Sequence, residues 1–301
     1  MEEGAILLVG VGGIGCGWSH RAHEKCLELS DLLLVDADES SFSSANTAHC
    51  LHLDASGKGR GAAALPNLAA HRLNEGMASI SHLMDKSELV VILTALGGGT
   101  GSGAASEIAA RAKDSGCLVI SIVGQPFAEQ PLRCAIAEIS LPAIELNSDL
   151  CIRVSLERLA WQARHRDSDW KLGSEWIGEL IEGLVTTLAR VGKMNLDLMD
   201  LRTVVQRPGN ATLIVGNGST DDPDGVVRMA KQSPLSEISV DGAKGCLIQV
   251  EGGPDMTLGH LNMVSEAFVS TLDEDCQVIL GARASDDMAG RLRLVAVVSG
   301  L

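Results

Sequence analysis

The chain has 301 residues, 46% of them hydrophobic but only 2% aromatic, with no tyrosine and a formal net charge of −15. So much aliphatic content makes a folded chain rather than a disordered one, long enough for two domains. The acidity argues against a nucleic-acid surface, which needs a basic stripe, and against attraction to an anionic membrane.

Along the first half, short aliphatic runs alternate with helical patterns. Strands are predicted at Ala5–Val9, Leu32–Val35, Leu89–Ala95, Leu118–Val123 and Leu150–Val154. Helices are predicted from the first glycine run to about Leu29, and over Gly103–Asp114 and Leu132–Leu146. Strands buried on both faces and alternating with helices give a doubly wound parallel sheet, a Rossmann-like α/β unit. Between Asn46 and Pro66 the small-residue segment from Ser56 reads as a flexible loop near a ligand. A long amphipathic helix is predicted from about Glu175 to Val191. A smaller mixed α/β unit follows, with strands at Leu213–Val215, Gly245–Val250, Gln277–Ala282 and Leu292–Val298, and helices near Asp224–Lys231 and after Thr257. Thr257 is placed to cap the latter helix. The organisation read from these elements is a nucleotide-binding domain over 1–172, a central helix over 173–194 and a C-terminal domain over 195–301.

No apolar run approaches the about 18 residues of a membrane span and no signal peptide opens the chain, so a cytosolic location is expected. Eight cysteines, none in a Cys-x-x-Cys pair and several within apolar runs (Cys117, Cys151, Cys246), read as small hydrophobes rather than as a disulfide framework.

Two glycine loops carry the chemistry. Gly10-Val-Gly12-Gly13-Ile-Gly15 follows a strand and opens a helix, where backbone N–H groups and the helix dipole favour a phosphate. Gly10, Gly12 and Gly15 also fit G-x-G-x-x-G, and Asp36 ends the next strand, so a nicotinamide oxidoreductase stays open on these residues alone. Gly97-Gly98-Gly99-Thr100-Gly101-Ser102-Gly103 again joins strand to helix, a second nest for a polyphosphate with two hydroxyls added. A dehydrogenase has no use for a second cradle, and no Gly-Lys-Ser/Thr ending marks a Walker loop.

The second loop matches the G-G-G-T-G-S/T-G signature of the tubulin/FtsZ superfamily, and the chain resembles FtsZ over essentially its whole length. Gly10–Gly13 is similar to that family's first phosphate loop, and Gly59-Arg-Gly61-Ala-Ala-Ala-Leu-Pro66 to its γ-phosphate-sensing loop. Gly252-Gly253-Pro254-Asp255-Met-Thr-Leu and the strands about Gly281 and Leu292–Gly300 are similar to its second domain. Asn195-Leu-Asp197-Leu-Met-Asp200 resembles the family's N-x-D-x-x-D loop; the plain reading of the same residues is a helix start capped by Asn195.

The resemblance implies a tubulin/FtsZ fold and a GTPase that polymerises head to tail, with GTP or GDP and Mg²⁺ as its ligands. It implies that Asn195, Asp197 and Asp200 act on the nucleotide of the neighbouring subunit. It further implies ribose contact for Glu129 and phosphate contact for Arg133, although Pro131 follows the acid and the motif is one residue short; the plain reading of this pair is a surface i,i+4 contact. Counting back from Asn195, Glu175 falls where the family pairs with guanine and Trp170 where an aromatic lies against the base. Gly17 stands where the family has an asparagine, and Ile152–Glu157 offers no counterpart of its I-P-N-D segment. The family's C-terminal tail has no counterpart after Leu301, so tail-mediated division partners are not expected. A tubulin-like scaffold with little turnover is the alternative on these departures. Cys16, His20 and His23, and His49-Cys50-x-His52, have metal-compatible spacing, but ordinary packing accounts for them better and no metal site is expected.

Overall fold

In the computed structural model the described residues are 5–301 apart from 43–47, 55–61, 63, 166–173, 191, 208 and 233–238. The chain divides into two compact units, Met1–Gly178 and Glu179–Leu301.

The first unit is built on the strands β1 (Ile6–Val11), β2 (Asp31–Asp36), β3 (His49–His52), β4 (Leu89–Ala95), β5 (Leu118–Gln125) and β6 (Leu150–Ser155). All pair in parallel, in the order β3-β2-β1-β4-β5-β6. This is the doubly wound arrangement, and its strand order reverses beside β1, at the β1/β4 boundary where such sheets bind ligands. The central strands are aliphatic because both faces are covered: every residue of β1 is buried, as are Leu89–Thr94 of β4. Helices α1 (Gly12–Lys25), α2 (Pro66–Asp85), α3 (Gly99–Asp114), α4 (Pro131–Leu146) and α5 (Leu156–His165) supply that cover. Leu73, Leu83 and Met84 of α2 and Ile108 of α3 pack with Val9, Val35 and Ile92 in one core.

Helix α6 (Ser174–Ala189) contains the division between the units. In the second unit, α7 (Leu198–Val205), α8 (Pro223–Lys231) and α9 (Leu258–Val269) accompany the strands β7 (Ala211–Ser219), β8 (Gly245–Gly252), β9 (Gln277–Ala284) and β10 (Arg291–Ser299). The sheet runs β7-β10-β8-β9, with β10 antiparallel to both neighbours and β8 parallel to β9. Phe268 of α9, Val226 of α8 and Ile248 of β8 are fully buried in its core. Thr257 caps α9 as expected, its hydroxyl accepting from the His260 N–H at 3.2 Å.

Several boundaries differ from those predicted. Helix α3 begins at Gly99, four residues before Gly103, because the glycine run itself forms the first turn. Glycine is a poor helix former, so propensity places the start too late. Helix α1 stops at Lys25 rather than near Leu29. The cap of α7 is Asp197 and not Asn195. Asn195 instead accepts from the Gly192 N–H at 2.6 Å and closes the loop before it.

Candidate nucleotide site

Helices α1 and α3 rise from the C-terminal ends of the adjacent strands β1 and β4, and their N-cap residues, Val11 and Gly98, make no side-chain cap bond to the first-turn N–H groups. Two uncapped helix starts side by side make a strongly anion-attracting place. Thr94 ties them together, its hydroxyl lying 3.2 Å from the Val11 carbonyl and 3.3 Å from that of Gly101. Gly12 sits at φ +74°, in left-handed backbone, and a Cβ on it would stand 3.4 Å from the Gly101 N. The two loops therefore touch.

Over them lies a cavity of about 910 Å³, lined by Gly12, Gly13, Gly98, Gly99, Thr100, Gly101 and Arg133, among others. The glycines divide into two kinds. A side chain on Gly10 would meet Ser19 Oγ at 2.1 Å, and one on Gly15 the Leu93 carbonyl at 2.2 Å, so these are required by strand–helix packing. Among the described residues, a side chain on Gly98 would meet nothing within 4 Å and one on Gly13 only ordinary contacts at 3.7 Å or more. Among the described residues, packing does not ask for glycine at these two positions, which face the cavity.

Other sequence-predicted residues fall behind that surface. Gly97, at φ +91°, is backed by Arg133, whose Cβ stands 2.6 Å from where a glycine substituent would lie. Ser102 is buried, and its hydroxyl accepts from the Gly97 N–H at 2.9 Å, shaping the loop from within. Glu129 is exposed in the turn before α4 and does not line the cavity; Gln130 does. With α4 starting at Pro131, Glu129 and Arg133 are not an i,i+4 pair on one helix. Glu175 lies exposed in the first turn of α6 and is also absent from the lining. Gly61 and Trp170 lie outside the described residues.

The wall beyond the loops holds residues that the sequence did not single out: Trp18, Arg21 and Glu24 of α1, with Phe127 and Leu156. Helical spacing on α1 carries a signal for the first three only once Gly12 is known to start that helix. Gly17 also lines the cavity, and a Cβ there would meet nothing within 4 Å, leaving open the space an asparagine would fill. Asp36 lines it too, with one carboxylate oxygen accepting from the Ala37 N–H at 2.7 Å and the other from the Ser41 hydroxyl at 2.6 Å.

The metal-compatible clusters resolve into packing contacts. The Cys16 thiol is buried against the Gly10 and Val35 carbonyls, and burial drives its pKa far up. His23 Nδ1 lies 3.1 Å from the Ser30 hydroxyl, and the His49 ring stands edge-on to His82. Among the described residues no group of three His, Cys, Asp or Glu converges.

In the second unit, Asp197 Oδ1 accepts from the Met199 and Asp200 N–H groups at 2.7 and 2.9 Å, and Asp200 Oδ2 accepts from the Asp197 N–H at 2.9 Å. This reciprocal capping box fixes both carboxyl groups at the exposed start of α7.

A doubly wound sheet with a two-loop phosphate cradle at its switch point defines a nucleotide-binding protein of the Rossmann-like class. Residues 5–162 match the family model described as "Tubulin/FtsZ family, GTPase domain", and residues 209–301 match "FtsZ family, C-terminal domain". The chain belongs to the tubulin/FtsZ family and is a cytoskeletal GTPase. It is 32% identical to cell division protein FtsZ 1 of Archaeoglobus fulgidus, covering 98% of this chain and 82% of that one. It is 31% identical to cell division protein FtsZ of Haloferax mediterranei, covering 98% and 80%. Its fold superposes on the empty FtsZ dimer of M. jannaschii with a TM-score of 0.86 at 26% identity, over 100% of this chain and 89% of that one. CetZ from Methanosaeta thermophila shares the fold, with a TM-score of 0.80 at 18% identity over 98% and 86%. The rival expectation of a nicotinamide oxidoreductase gives way to this membership.

Proposed function

We propose that the chain polymerises head to tail and hydrolyses GTP where one subunit meets the next, in cell division or a related cytoskeletal task. The observation that carries this is the convergence of two uncapped helix starts on one cavity, faced by glycines that packing does not require. The triphosphate lies over Gly12, Gly13 and Gly98–Gly101, with the Thr100 hydroxyl and the Arg133 guanidinium added, and the base lies toward Trp18 and Phe127. Among the described residues neither glycine loop carries a general base; Asp36 already serves Ala37 and Ser41, and His20 and Glu24 line the cavity from α1. The missing carboxylates come from the start of α7 of the neighbouring subunit. Each uses one oxygen for the capping box, so the other remains to orient water. That water attacks the γ-phosphorus in line, the bond to the β–γ bridging oxygen breaks, and its proton passes toward Asp197 or Asp200; Asn195 supports the same loop.

Mg²⁺ fits this site as a companion of the phosphates. The Thr100 hydroxyl, on the cavity lining, would stand beside it. There it would neutralise charge on the phosphate oxygens. Such a head-to-tail contact does not close on itself and so propagates. The dimer named for the M. jannaschii structure is in keeping with self-association. The net charge of −15 supports a cytoplasmic protein without nucleic-acid or direct membrane partners; among the described residues no helix is long and apolar enough to cross a membrane.

The test is GTP turnover per subunit against protein concentration with Mg²⁺, beside Asp200→Ala. A shared site requires the specific rate to rise steeply above a threshold concentration and the variant to lose about 100-fold or more. A flat, appreciable rate would show that each monomer is complete and would sink the role given to Asp197 and Asp200. Binding without turnover at any concentration would favour the scaffold reading.

A further inference from the structure

The loop that delivers Asn195, Asp197 and Asp200 rests on β9. The Lys193 and Met194 N–H groups donate to the Ala282 carbonyl at 2.8 and 3.1 Å, and the Ala282 N–H returns a bond to Met194 at 3.0 Å. Gly192 and Gly281 let the chains close up: a Cβ on Gly192 would stand 2.6 Å from the Ala282 carbonyl, and one on Gly281 2.6 Å from Leu196 Cγ. Next to Ala282 is Arg283, whose Nε donates to Glu251 Oε1 at 3.0 Å. Glu251 is fully buried on β8, in register with Arg283 on one side and Arg293 of β10 on the other. Arg293 Nη1 lies 3.7 Å from Glu251 Oε2 and 3.3 Å from Glu182 Oε1 on α6, the helix that feeds the loop. The contacts form a closed circuit: α6, loop, β9, Glu251, Arg293 and back to α6.

This is a poor way to gain stability. Charges removed from water lose hydration that their pairing barely returns, and an apolar set of similar volume generally serves as well or better. Here the pairing is incomplete, since Glu251 Oε2 and the neighbouring Gln249 Oε1 are buried without a hydrogen bond. What charged pairs with directional bonds do supply is geometry.

We propose that Glu251, Arg283 and Arg293 are positioning residues for hydrolysis, holding the 192–200 segment so that Asp197 and Asp200 enter the neighbouring subunit's site in one orientation. The proposal rests on the reading of those two acids given above. Removing one charge alone would strand its partner in the core, so the principal variant removes a pair, Glu251→Gln with Arg283→Met, and Arg293→Lys keeps the charge while losing the two-pronged contact.

Two measurements are made on the whole chain. Amide hydrogen exchange of the unassembled protein reads the loop directly: protection at Lys193 and Met194 should fall at least 10-fold in both variants while β10 stays protected. Steady-state turnover reads its use: kcat per assembled subunit should fall about 10-fold with KM for GTP unchanged, and the single conservative Glu251→Asp, with Arg283 kept as its partner, should lose less. Unaltered exchange at the loop, or exchange that rises uniformly over the whole second unit, would overturn the proposal. Loosened exchange with wild-type kcat would overturn it as well, provided that Asp200→Ala still abolishes turnover. If Asp200→Ala itself turns over normally, it is the reading of the acids that fails, and the exchange result alone judges what holds the loop.

Discussion

A single methyl group separates the two roles that glycine plays in this protein. At Gly97 the backbone is left-handed and Arg133 stands against it, so alanine there must strain or displace the loop. At Gly98 there is open space and ordinary backbone, with φ at −102°, so a side chain threatens only an incoming ligand. Gly98→Val should therefore keep the wild-type melting temperature within about 2 °C and lose GTP binding by 10-fold or more, whereas Gly97→Ala should lower both. A thermal melt with a nucleotide titration on each variant reads the difference; normal GTP affinity in Gly98→Val would move the phosphates elsewhere. The sequence announced the two loops but could not sort their glycines, because that sorting depends on Ser19, Leu93 and Arg133, which the fold brings in from other elements. Trp18, Arg21 and Glu24 escaped notice for the same reason. Their place on the cavity wall follows from the pitch of α1, whose first residue was hidden in a glycine run.

Helix α1 carries its pH response on its buried side. His23 is buried, and desolvation holds its pKa below the usual 6.5, helped by His20 and opposed by Asp31 and Glu24. The folded state thus favours the neutral ring. As pH falls through the unfolded value of 6.5 toward the folded one, the unfolded chain binds the proton first and stability drops. The expected outcome is a melting temperature that declines below about pH 6.5 and declines less in His23→Gln; parallel curves for the two proteins would remove His23 from the account. At this scale the parallel strands were legible because they are uninterrupted aliphatic runs, and β4 lies where it was predicted. The strand β3 was not: His-Cys-Leu-His on a sheet edge, mostly exposed, has neither alternation nor an apolar run. Helix α2 did leave a signal in Ala69, Leu73, Ile80 and Met84, but small and polar residues before it read as one long loop. Helix α5 likewise shows Leu156, Leu159, Ala160 and Ala163 at helical spacing.

For the whole molecule, assembly works against the charge of −15 on every subunit. In the proposed head-to-tail contact, like-charged subunits must approach closely for Asp197 and Asp200 to reach a neighbour, and these acids would add two negative groups to a site holding phosphates. Salt shortens the reach of that repulsion from about 30 Å at 0.01 M to about 8 Å at 0.15 M. The threshold concentration for GTP-dependent sedimentation should accordingly fall several-fold across that range at constant Mg²⁺. A threshold that rises with salt would mean that opposite charges, rather than the contact itself, hold subunits together.

The capping box at α7 has a consequence for lineages rather than for single molecules. Asp197 secures the Met199 and Asp200 N–H groups and Asp200 that of Asp197, and losing such a cap costs about 1 kcal/mol. Selection on folding alone therefore favours a capping side chain at both positions, even in a descendant that has given up hydrolysis. Gly13 and Gly98 have no such protection, since among the described residues packing does not require them to be small, and under the proposed function the nucleotide does. On that reading, a relative drifting toward an inert scaffold would show side chains at those two glycines while capping residues persist at the start of α7.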